Sequence, residues 1–165
     1  MMHKTSIDRM TEFVATLDKQ KPLEILDIGA AGSQAYRSLF DSPVWKYSGL
    51  DLHAEGNVNI ITTDPYHYPI EDNKYDVVIS GQALEHVEDI YAWADEAIRI
   101  LKSNGIMCII APCAWCEHKF PYDCWRFYPD GMRFLFIKRT KKLKEINIYW
   151  KGQDCVAIMT KEVIV

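Results

Sequence analysis

The hydrophobic residues of several stretches recur every three or four positions, which is the spacing of one face of an α-helix. This pattern predicts helices at residues 5–19, 34–40, 86–102 and 129–136. Their ends carry suitable residues. Pro22 follows the first helix, Asn104 and Gly105 form a stop signal after the third, and Pro129 stands in the first turn of the fourth. The sequence therefore predicts four helical segments spread along the chain.

Short apolar runs alternate with these helices and predict buried strands. The runs lie at residues 23–28, 47–52, 59–63, 75–80 and 106–111. In the last part of the chain, hydrophobic and polar residues alternate at 146–150 and 156–160, on either side of Gly152, which is typical of a β-hairpin. Strands alternating with helices indicate an α/β fold with a mostly parallel sheet, here with an antiparallel hairpin at its C-terminal edge.

Composition limits the organisation and the setting of the chain. The length of 165 residues fits one domain, at residues 1–165. The hydrophobic fraction of 48% argues against a disordered chain. Within it we expect an N-terminal helix (1–20), a core (23–112), and a last part (113–165) of lid segment, helix and hairpin. Residues 1–13 lack the apolar stretch of a signal peptide, and the apolar stretch at 106–115 is too short to span a bilayer. We therefore expect a cytoplasmic protein with reduced thiols and no membrane insertion.

Candidate binding residues follow three successive strands. They are the small-residue turn that begins at Gly29, Asp51 after the second strand, and Asp64 after the third. Each alone has a simpler explanation, as a tight turn, a surface acid or a turn-starting Asp-Pro pair. Together they predict a nucleoside at the carboxyl ends of the strands, where ligands of such sheets bind. The dinucleotide fingerprint would need glycine at Ala31 and Gln34, so an adenosine ligand without phosphates fits better.

Sequence motifs at these positions point to a family. They lie at residues 24–29 (EILDIG), 47–52 (YSGLDL), 63–64 (TD), 75–80 (YDVVIS), 83–87 (ALEHV) and 101–106 (LKSNGI). In this order, over about residues 23–112, they resemble the class I S-adenosylmethionine-dependent methyltransferases. Residues 118–129 (HKFPYDCWRFYP), followed by Gly131 and Met132, resemble a stretch found in small methyltransferase-like domains of that group. The motifs identify the superfamily and no particular substrate.

The resemblance implies a Rossmann-like sheet, S-adenosylmethionine as cofactor, S-adenosylhomocysteine as product, and a role for each matching residue. Asp51 would bind the ribose hydroxyls, with Leu52 against the adenine, and Asp64 would bind the adenine amine. The remaining implied cofactor-site residues are Asp27, Gly29, Ala30 and Ala31 near the methionine part, Pro65 beside Asp64, and Ser80, Gly81 and Gln82 beside the methyl group and the acceptor.

The chain departs from the family pattern at two places. Ala31 and Ser33 stand where glycine is usual, and the short connection after Asp51 leaves no room for a helix between the second and third strands. The fold is therefore expected to be trimmed, with thin cover on one face that self-association would supplement. These departures keep an alternative open, a cofactor-binding protein without transferase activity.

Transfer to a hydroxyl acceptor needs a group that takes its proton. His86 is the first candidate base and His118 the second, since imidazole titrates near neutral pH. The alternatives are that His86 only holds the loop after the fourth strand, and that His118 and Asp123 shape a lid over the acceptor. Aromatic residues would wall that lid or simply pack over the core; they are Trp115, Phe120, Tyr122, Trp125, Phe127 and Tyr128. We expect a small-molecule acceptor, in the form of a sugar or glycan hydroxyl.

Two further clusters carry weaker expectations. Cys113, Cys116, His118 and Cys124 use residue types of zinc sites, but their spacing lacks two separated knuckles, so thiols and no metal are expected. The basic run at residues 138–144 is expected to be a solvated connection. An RNA or protein methyltransferase that needs a partner is the remaining alternative, although the net charge of -4 argues against a nucleic-acid partner.

Overall fold

Seven strands pair edge to edge in one sheet. The structure, a computed structural model, describes residues 4–32 and 34–163. The strands are β1 (Leu23–Ile28), β2 (Trp45–Asp51), β3 (Val58–Ile61), β4 (Tyr75–Gly81), β5 (Leu101–Pro112), β6 (Leu143–Lys151) and β7 (Asp154–Lys161). Their order across the sheet is β3-β2-β1-β4-β5-β7-β6. Strands β1 to β5 are parallel, and β7 runs antiparallel to both β5 and β6, so the predicted fold class is confirmed.

Helices cover both faces of the sheet. They are α1 (Lys4–Val14), α2 (Gln34–Arg37), α3 (Ile90–Ile100) and α4 (Pro129–Met132), which continues as a π-helical turn at Arg133–Lys138. On one face, Phe13 of α1 and Tyr36 of α2 pack against Ile25 and Ile79 of the sheet. On the other face, residues of α3 form one cluster with β4 and β5, and α4 contacts β6 and β7. None of the helices within the described ranges is both long and apolar enough to cross a lipid bilayer.

The helix predicted at residues 86–102 is shorter than its hydrophobic pattern suggests. It begins at Ile90 because the Asp89 carboxylate accepts hydrogen bonds from the backbone nitrogens of Tyr91 and Ala92, an N-cap. Residues 84–86 form a separate 3₁₀ turn, which places His86 outside the helix. The helix ends at Ile100, and β5 starts directly after it, well before the predicted start. The first helix is also shorter, since α1 ends at Val14.

The connections on either side of β3 carry no helix, as predicted for the first of them. Residues 52–57 and 62–74, all described, are turns and loop. The second loop buries Tyr68, which is only 2% exposed, on the face that a helix would otherwise cover. The Glu96 carboxylate accepts from the Tyr68 backbone nitrogen at 2.6 Å, and Arg99 joins Glu96 to Asp72. An ion-pair network that starts from α3 therefore holds this loop against the sheet, and the loop covers the face that a helix would otherwise cover.

A buried lysine from β7 caps the C-terminal end of α3. The Lys161 ammonium group donates to the carbonyl oxygens of Ile98 at 2.7 Å and Leu101 at 2.6 Å, and to the Asn73 side chain at 2.9 Å. Carbonyl oxygens at a helix end have no partner within the helix, so this side chain from β7 supplies one. The contact ties strand β7 to the end of α3.

Replacing Lys161 with methionine is expected to lower the free energy of unfolding by about 2 kcal/mol, because it leaves buried carbonyl oxygens without a donor. Chemical denaturation of the variant measures the loss. Lys144→Met, at an exposed position of β6, is the matched control and should change little. Equal stabilities of the two variants would contradict a capping role for Lys161.

Candidate functional site

A cleft of about 660 Å³ opens at the carboxyl ends of β1, β2 and β4. One wall is formed by the ends of these strands, and the other by the segment at residues 113–128, here called the lid segment. Parallel strands place their carboxyl ends along one edge of the sheet, and ligands of such folds bind there. The cleft is therefore the candidate functional site.

The turn after β1 forms the floor of the cleft. Gly29 has a φ angle of +86°, and a Cβ atom built on it would lie 2.6 Å from the Ala83 Cβ atom. Only glycine permits both this conformation and this close approach of the turn after β4. Gly32 faces open space, with no atom within 4 Å of a built Cβ atom. The departure at Ser33 lies outside the described residues, whereas the departure at Ala31 is described and lines the cleft.

Asp51 stands at the side of the cleft, at the end of β2. Its carboxylate accepts hydrogen bonds from the backbone nitrogens of Ala31 at 3.0 Å and of His53 at 3.2 Å. Beside it, Leu52 lines the cleft and leaves 46% of its surface exposed. An apolar side chain next to a fixed carboxylate offers one surface for a flat ring and one acceptor for hydroxyl groups.

The residues that follow β3 contribute less to the cleft than those that follow β2. The Asp64 carboxylate accepts from the Tyr66 backbone nitrogen at 2.8 Å, and Asp64 is an exposed residue outside the cleft lining. Its neighbour Pro65 does line the cleft, together with Tyr66. Asp64 therefore sits at the rim, where only a group that reaches out of the cleft would meet it.

The residues after β4 hold an unusual backbone. An ideal Cβ atom on Gly81 would lie 2.1 Å from the Tyr36 hydroxyl oxygen, so the Tyr36 ring takes up the space that a side chain would need. Gln82 has a φ angle of +57°, which is rare for a residue with a side chain. Its amide nitrogen donates to the Asp154 carboxylate at 2.9 Å. Strained backbone of this kind is often found at functional sites.

The structure brings most of the predicted site residues to this cleft. Those that line it are Gly29, Ala31, Asp51, Leu52, Pro65, Gly81, Gln82, His86 and His118. Three others lie beneath it. Ala30 is buried, Asp27 accepts from the Tyr47 hydroxyl at 2.5 Å, and the Ser80 hydroxyl donates to the Ile28 carbonyl oxygen at 2.8 Å. These three support the turns and are covered by the residues that face the cleft.

The lid segment is fastened by backbone and guanidinium contacts. The Cys124 backbone nitrogen donates to the Glu85 carbonyl oxygen at 2.7 Å, and the Phe127 backbone nitrogen donates to the Pro112 carbonyl oxygen at 2.9 Å. Arg126 pairs through two nitrogens with the Asp123 carboxylate, and this pairing holds the pKa of Asp123 well below its usual range. The lid segment thus forms a defined wall of the cleft, lined by Trp115, Phe120 and Tyr122.

Sequence reasoning missed one buried polar residue that lies directly beside the two cleft-lining histidines, Glu85. Its side chain is 0% exposed, and neither carboxyl oxygen has a hydrogen-bond partner among the described residues. Oε1 lies 3.7 Å from His86 Nε2 and 3.8 Å from His118 Nε2. Burial raises the pKa of Glu85 to about 8, and burial likewise lowers the pKa of His86. The two histidine rings meet edge to face, with centroids 5.0 Å apart.

The cysteines near the cleft differ in burial from one another and do not cluster as Glu85, His86 and His118 do. Cys113 is buried and Cys116 and Cys124 are exposed, and burial raises the pKa of the Cys113 thiol. Within the described ranges, these thiols do not join His118 in a group with metal-ligand spacing. The four residues Cys113, Cys116, His118 and Cys124 are therefore not brought together as one ligand group among the described residues.

Comparison with known proteins gives one family match. The model of a family described as "Methyltransferase domain" matches residues 26–109, about half of the chain. The chain is 30% identical over 105 residues to the 2-methyl-6-phytyl-1,4-hydroquinone methyltransferase 1 of Oryza sativa subsp. japonica, covering 59% of this chain and 32% of that protein. It is 28% identical over 119 residues to the demethylmenaquinone methyltransferase of Staphylococcus saprophyticus, covering 72% of this chain and 49% of that protein.

A solved structure is similar over almost the whole chain. It is a chain of the "Complex between the Haloferax volcanii Trm112 methyltransferase activator and the putative methyltransferase", with a TM-score of 0.72 and 17% identity. The match covers 97% of this chain and 93% of that one. At this identity the likeness concerns the fold alone. The chain spans about a third and about half of the lengths of the two curated relatives.

Proposed function

Because the chain belongs to the methyltransferase domain family, we propose that it transfers the methyl group of S-adenosylmethionine to a small-molecule acceptor bound in the cleft. The family and the cofactor predicted from the sequence agree with this match. S-adenosylmethionine supplies a methyl group on a positively charged sulfur, which is already a good leaving group. The protein must therefore mainly orient acceptor and methyl group and exclude water, and orientation alone contributes several orders of magnitude in rate.

The observation that carries the proposal is the position of Asp51. Its carboxylate is held by the Ala31 and His53 nitrogens at the side of the cleft, beside the exposed face of Leu52. A carboxylate in this place accepts hydrogen bonds from the two ribose hydroxyls. Leu52 and Pro65 would pack on the adenine, and the turn from Gly29 to Ala31 would face the methionine part. Asp64 at the rim would accept from the adenine amine.

The wall opposite the sheet supports an acceptor that contains a ring. Trp115, Phe120 and Tyr122 of the lid segment line the cleft, and Phe120 is 68% exposed there. Aromatic faces bind flat rings and the apolar faces of sugars. The two curated relatives are named for hydroquinone and menaquinone substrates, which favours a quinol-type ring. The sequence led us to expect a sugar or glycan hydroxyl as the acceptor, and we keep this as the second candidate acceptor.

A hydroxyl acceptor loses its proton during transfer, and the cleft contains groups that would promote this loss. His86 and His118 both line it, on the side of the lid segment. His86 Nδ1 lies 2.5 Å from the Tyr122 carbonyl oxygen, so the ring is held by the lid segment. We propose that these two histidines promote the loss of the acceptor proton. This role is more direct than the alternative, in which His86 only holds the loop after β4.

Two measurements test the proposed function. Calorimetric titration with S-adenosylhomocysteine is expected to show saturable binding, and a radiolabelled methyl donor is expected to label a short-chain demethylmenaquinol in preference to a simple glycoside. Binding without labelling of either acceptor would favour the cofactor-binding alternative. Absence of binding would overturn the proposal.

A partner-dependent activity is the second candidate, and the structural relative in complex with an activator favours it. Strand β3 forms one edge of the sheet, and Ile61 on it is 55% exposed, which leaves an apolar edge available for a partner. An RNA or protein substrate would use the exposed Lys141 and Lys142 of the basic run. Its association should then weaken with salt and be lost when both lysines become glutamate.

A further inference from the structure

We propose that Glu85, His86 and His118 bind a divalent transition-metal ion of the zinc class, with an open coordination position toward the cleft. One ligand atom from each residue lies within 4.8 Å of the other two. Two histidines and one carboxylate are a recurrent ligand set for zinc and iron(II) in enzymes, where the remaining positions take water or substrate. Nothing in the sequence pattern indicated this set, because its members come from the turn after β4 and from the lid segment.

The distances around Glu85 suit a shared ion. Its Oε1 atom is 3.7 Å from His86 Nε2 and 3.8 Å from His118 Nε2. Ligand atoms that each sit about 2.0–2.2 Å from one zinc ion lie roughly 3–3.5 Å from one another. Glu85 and each histidine would reach this spacing by side-chain movements of a few tenths of an ångström. The three ligand atoms as a group lie within 4.8 Å of one another, so the two histidines must also draw closer around the ion.

Both histidines present the nitrogen that a metal needs. His86 Nδ1 contacts the Tyr122 carbonyl oxygen at 2.5 Å, and His118 Nδ1 contacts that of Cys116 at 3.2 Å. A carbonyl oxygen only accepts hydrogen bonds, so each Nδ1 carries the proton and each Nε2 carries the lone pair directed toward Glu85. Asp123 Oδ2 lies 3.6 Å from His118 Nδ1 and supports the same orientation. Metal-bound histidines are typically oriented by such contacts on their other nitrogen.

The burial of Glu85 supplies an independent reason for a cation. A carboxylate that is 0% exposed and has no hydrogen-bond partner on either oxygen within the described part of the chain is costly in free energy. The charge of Arg126 is engaged by Asp123, whose two carboxyl oxygens it contacts. A metal ion coordinated to Glu85 would offset the cost. Without one, the group must be held as the neutral acid.

The consequence for the reaction rests on the proposed function. Because His86 and His118 line the cleft, an ion between them would have its open position toward the acceptor. An acceptor hydroxyl coordinated there loses its proton more readily, since a bound divalent cation stabilises the oxyanion. The proton would pass to solvent water at the open side of the cleft, and the histidines would influence its loss only as ligands of the ion.

The experiment is a titration of the purified, metal-stripped chain with Zn²⁺ by calorimetry, and with Co²⁺ by visible absorption. We expect saturable binding of one ion per chain and cobalt spectra without a thiolate charge-transfer band. Glu85→Gln and His118→Ala should each weaken Zn²⁺ binding by on the order of 100-fold or more, since the loss of even an outer contact costs about 10–100-fold. Thermal unfolding of each variant checks that it folds.

Two control variants test whether other side chains of the protein, rather than the proposed site, bind the Zn²⁺. His67→Ala, at an exposed histidine outside the cleft lining, and the double variant Cys116→Ser with Cys124→Ser should bind Zn²⁺ as the unaltered chain does. Loss of binding in the cysteine variant, or unchanged binding in His118→Ala, would overturn the proposal, as would absence of saturable binding. Asp51→Ala should keep Zn²⁺ binding while it weakens S-adenosylhomocysteine binding, so failure of the metal site and failure of the proposed function are distinguishable.

Discussion

Replacing Asp51 with alanine is expected to weaken S-adenosylhomocysteine binding by on the order of 100-fold or more. Hydrogen bonds to a charged group are worth about 1.5–3 kcal/mol each, and the carboxylate is positioned to accept two from the ribose. Asp51→Asn should fall in between, because the amide oxygen still accepts one hydrogen bond while the amide nitrogen cannot. Calorimetric titration of the two variants beside the unaltered chain measures both losses.

The matched control for Asp51 is Asp8→Ala, at an exposed position on α1 away from the cleft. It removes the same charge from the chain and should leave the affinity unchanged. Since Asp51 also accepts from the Ala31 backbone nitrogen, thermal unfolding must show that the Asp51 variants keep their fold. A folded Asp51→Ala variant with unaltered affinity would remove the ribose contact from the proposed site.

The second large effect is expected at Gly81, where alanine should lower the free energy of unfolding by about 3 kcal/mol. A Cβ atom there would lie 2.1 Å from the Tyr36 hydroxyl oxygen and 2.4 Å from a ring carbon. Tyr36 is fully buried and its hydroxyl is hydrogen-bonded to Ser6, so the ring has little space to move. Denaturant unfolding measures the loss, and the displaced ring should also disturb the floor of the cleft.

Gly131 offers the matched control for Gly81. It lies in α4, and a Cβ atom built on it meets nothing within 4 Å, so Gly131→Ala should leave stability unchanged or slightly raised. If the Gly81 effect comes from the overlap, Tyr36→Leu should recover part of it in the double variant, and the two substitutions should be strongly non-additive. Additive effects would show that the overlap with Tyr36 is not the cause.

The fold was largely predictable from residues whose local pattern and tertiary place agree. The apolar run at residues 23–28 is bounded by Pro22 and Gly29, and the strand observed there has the same limits. The helix predicted at 86–102 was too long because Val87 and Leu101 extend its apolar face, whereas in the structure they serve a turn and a strand. Asp89 is the signal that could have placed the helix start, since aspartate is a favoured N-cap.

The site was predictable where a residue follows a strand, and less so where it depends on distant segments. Asp51 and Gly81 lie at strand ends, so the sheet topology alone brings them to the cleft. Glu85 belongs to the motif at residues 83–87, but its burial and its contact with the distant Cys124 nitrogen depend on tertiary structure that the motif does not record. The left-handed backbone of Gln82 likewise depends on surroundings that no local pattern records.

The order of the strands has a consequence for synthesis on the ribosome. Strand β7 lies between β5 and β6, although it follows both in the chain. Until residues 154–161 have emerged, the outer edge of β5 has no partner strand, and an unpaired edge of a nascent chain is prone to pair with other chains. Asp154, which accepts from the Gln82 side chain, also arrives only then. The polypeptide therefore gains the partner strand of β5 and the Gln82 contact beside the cleft in the same step.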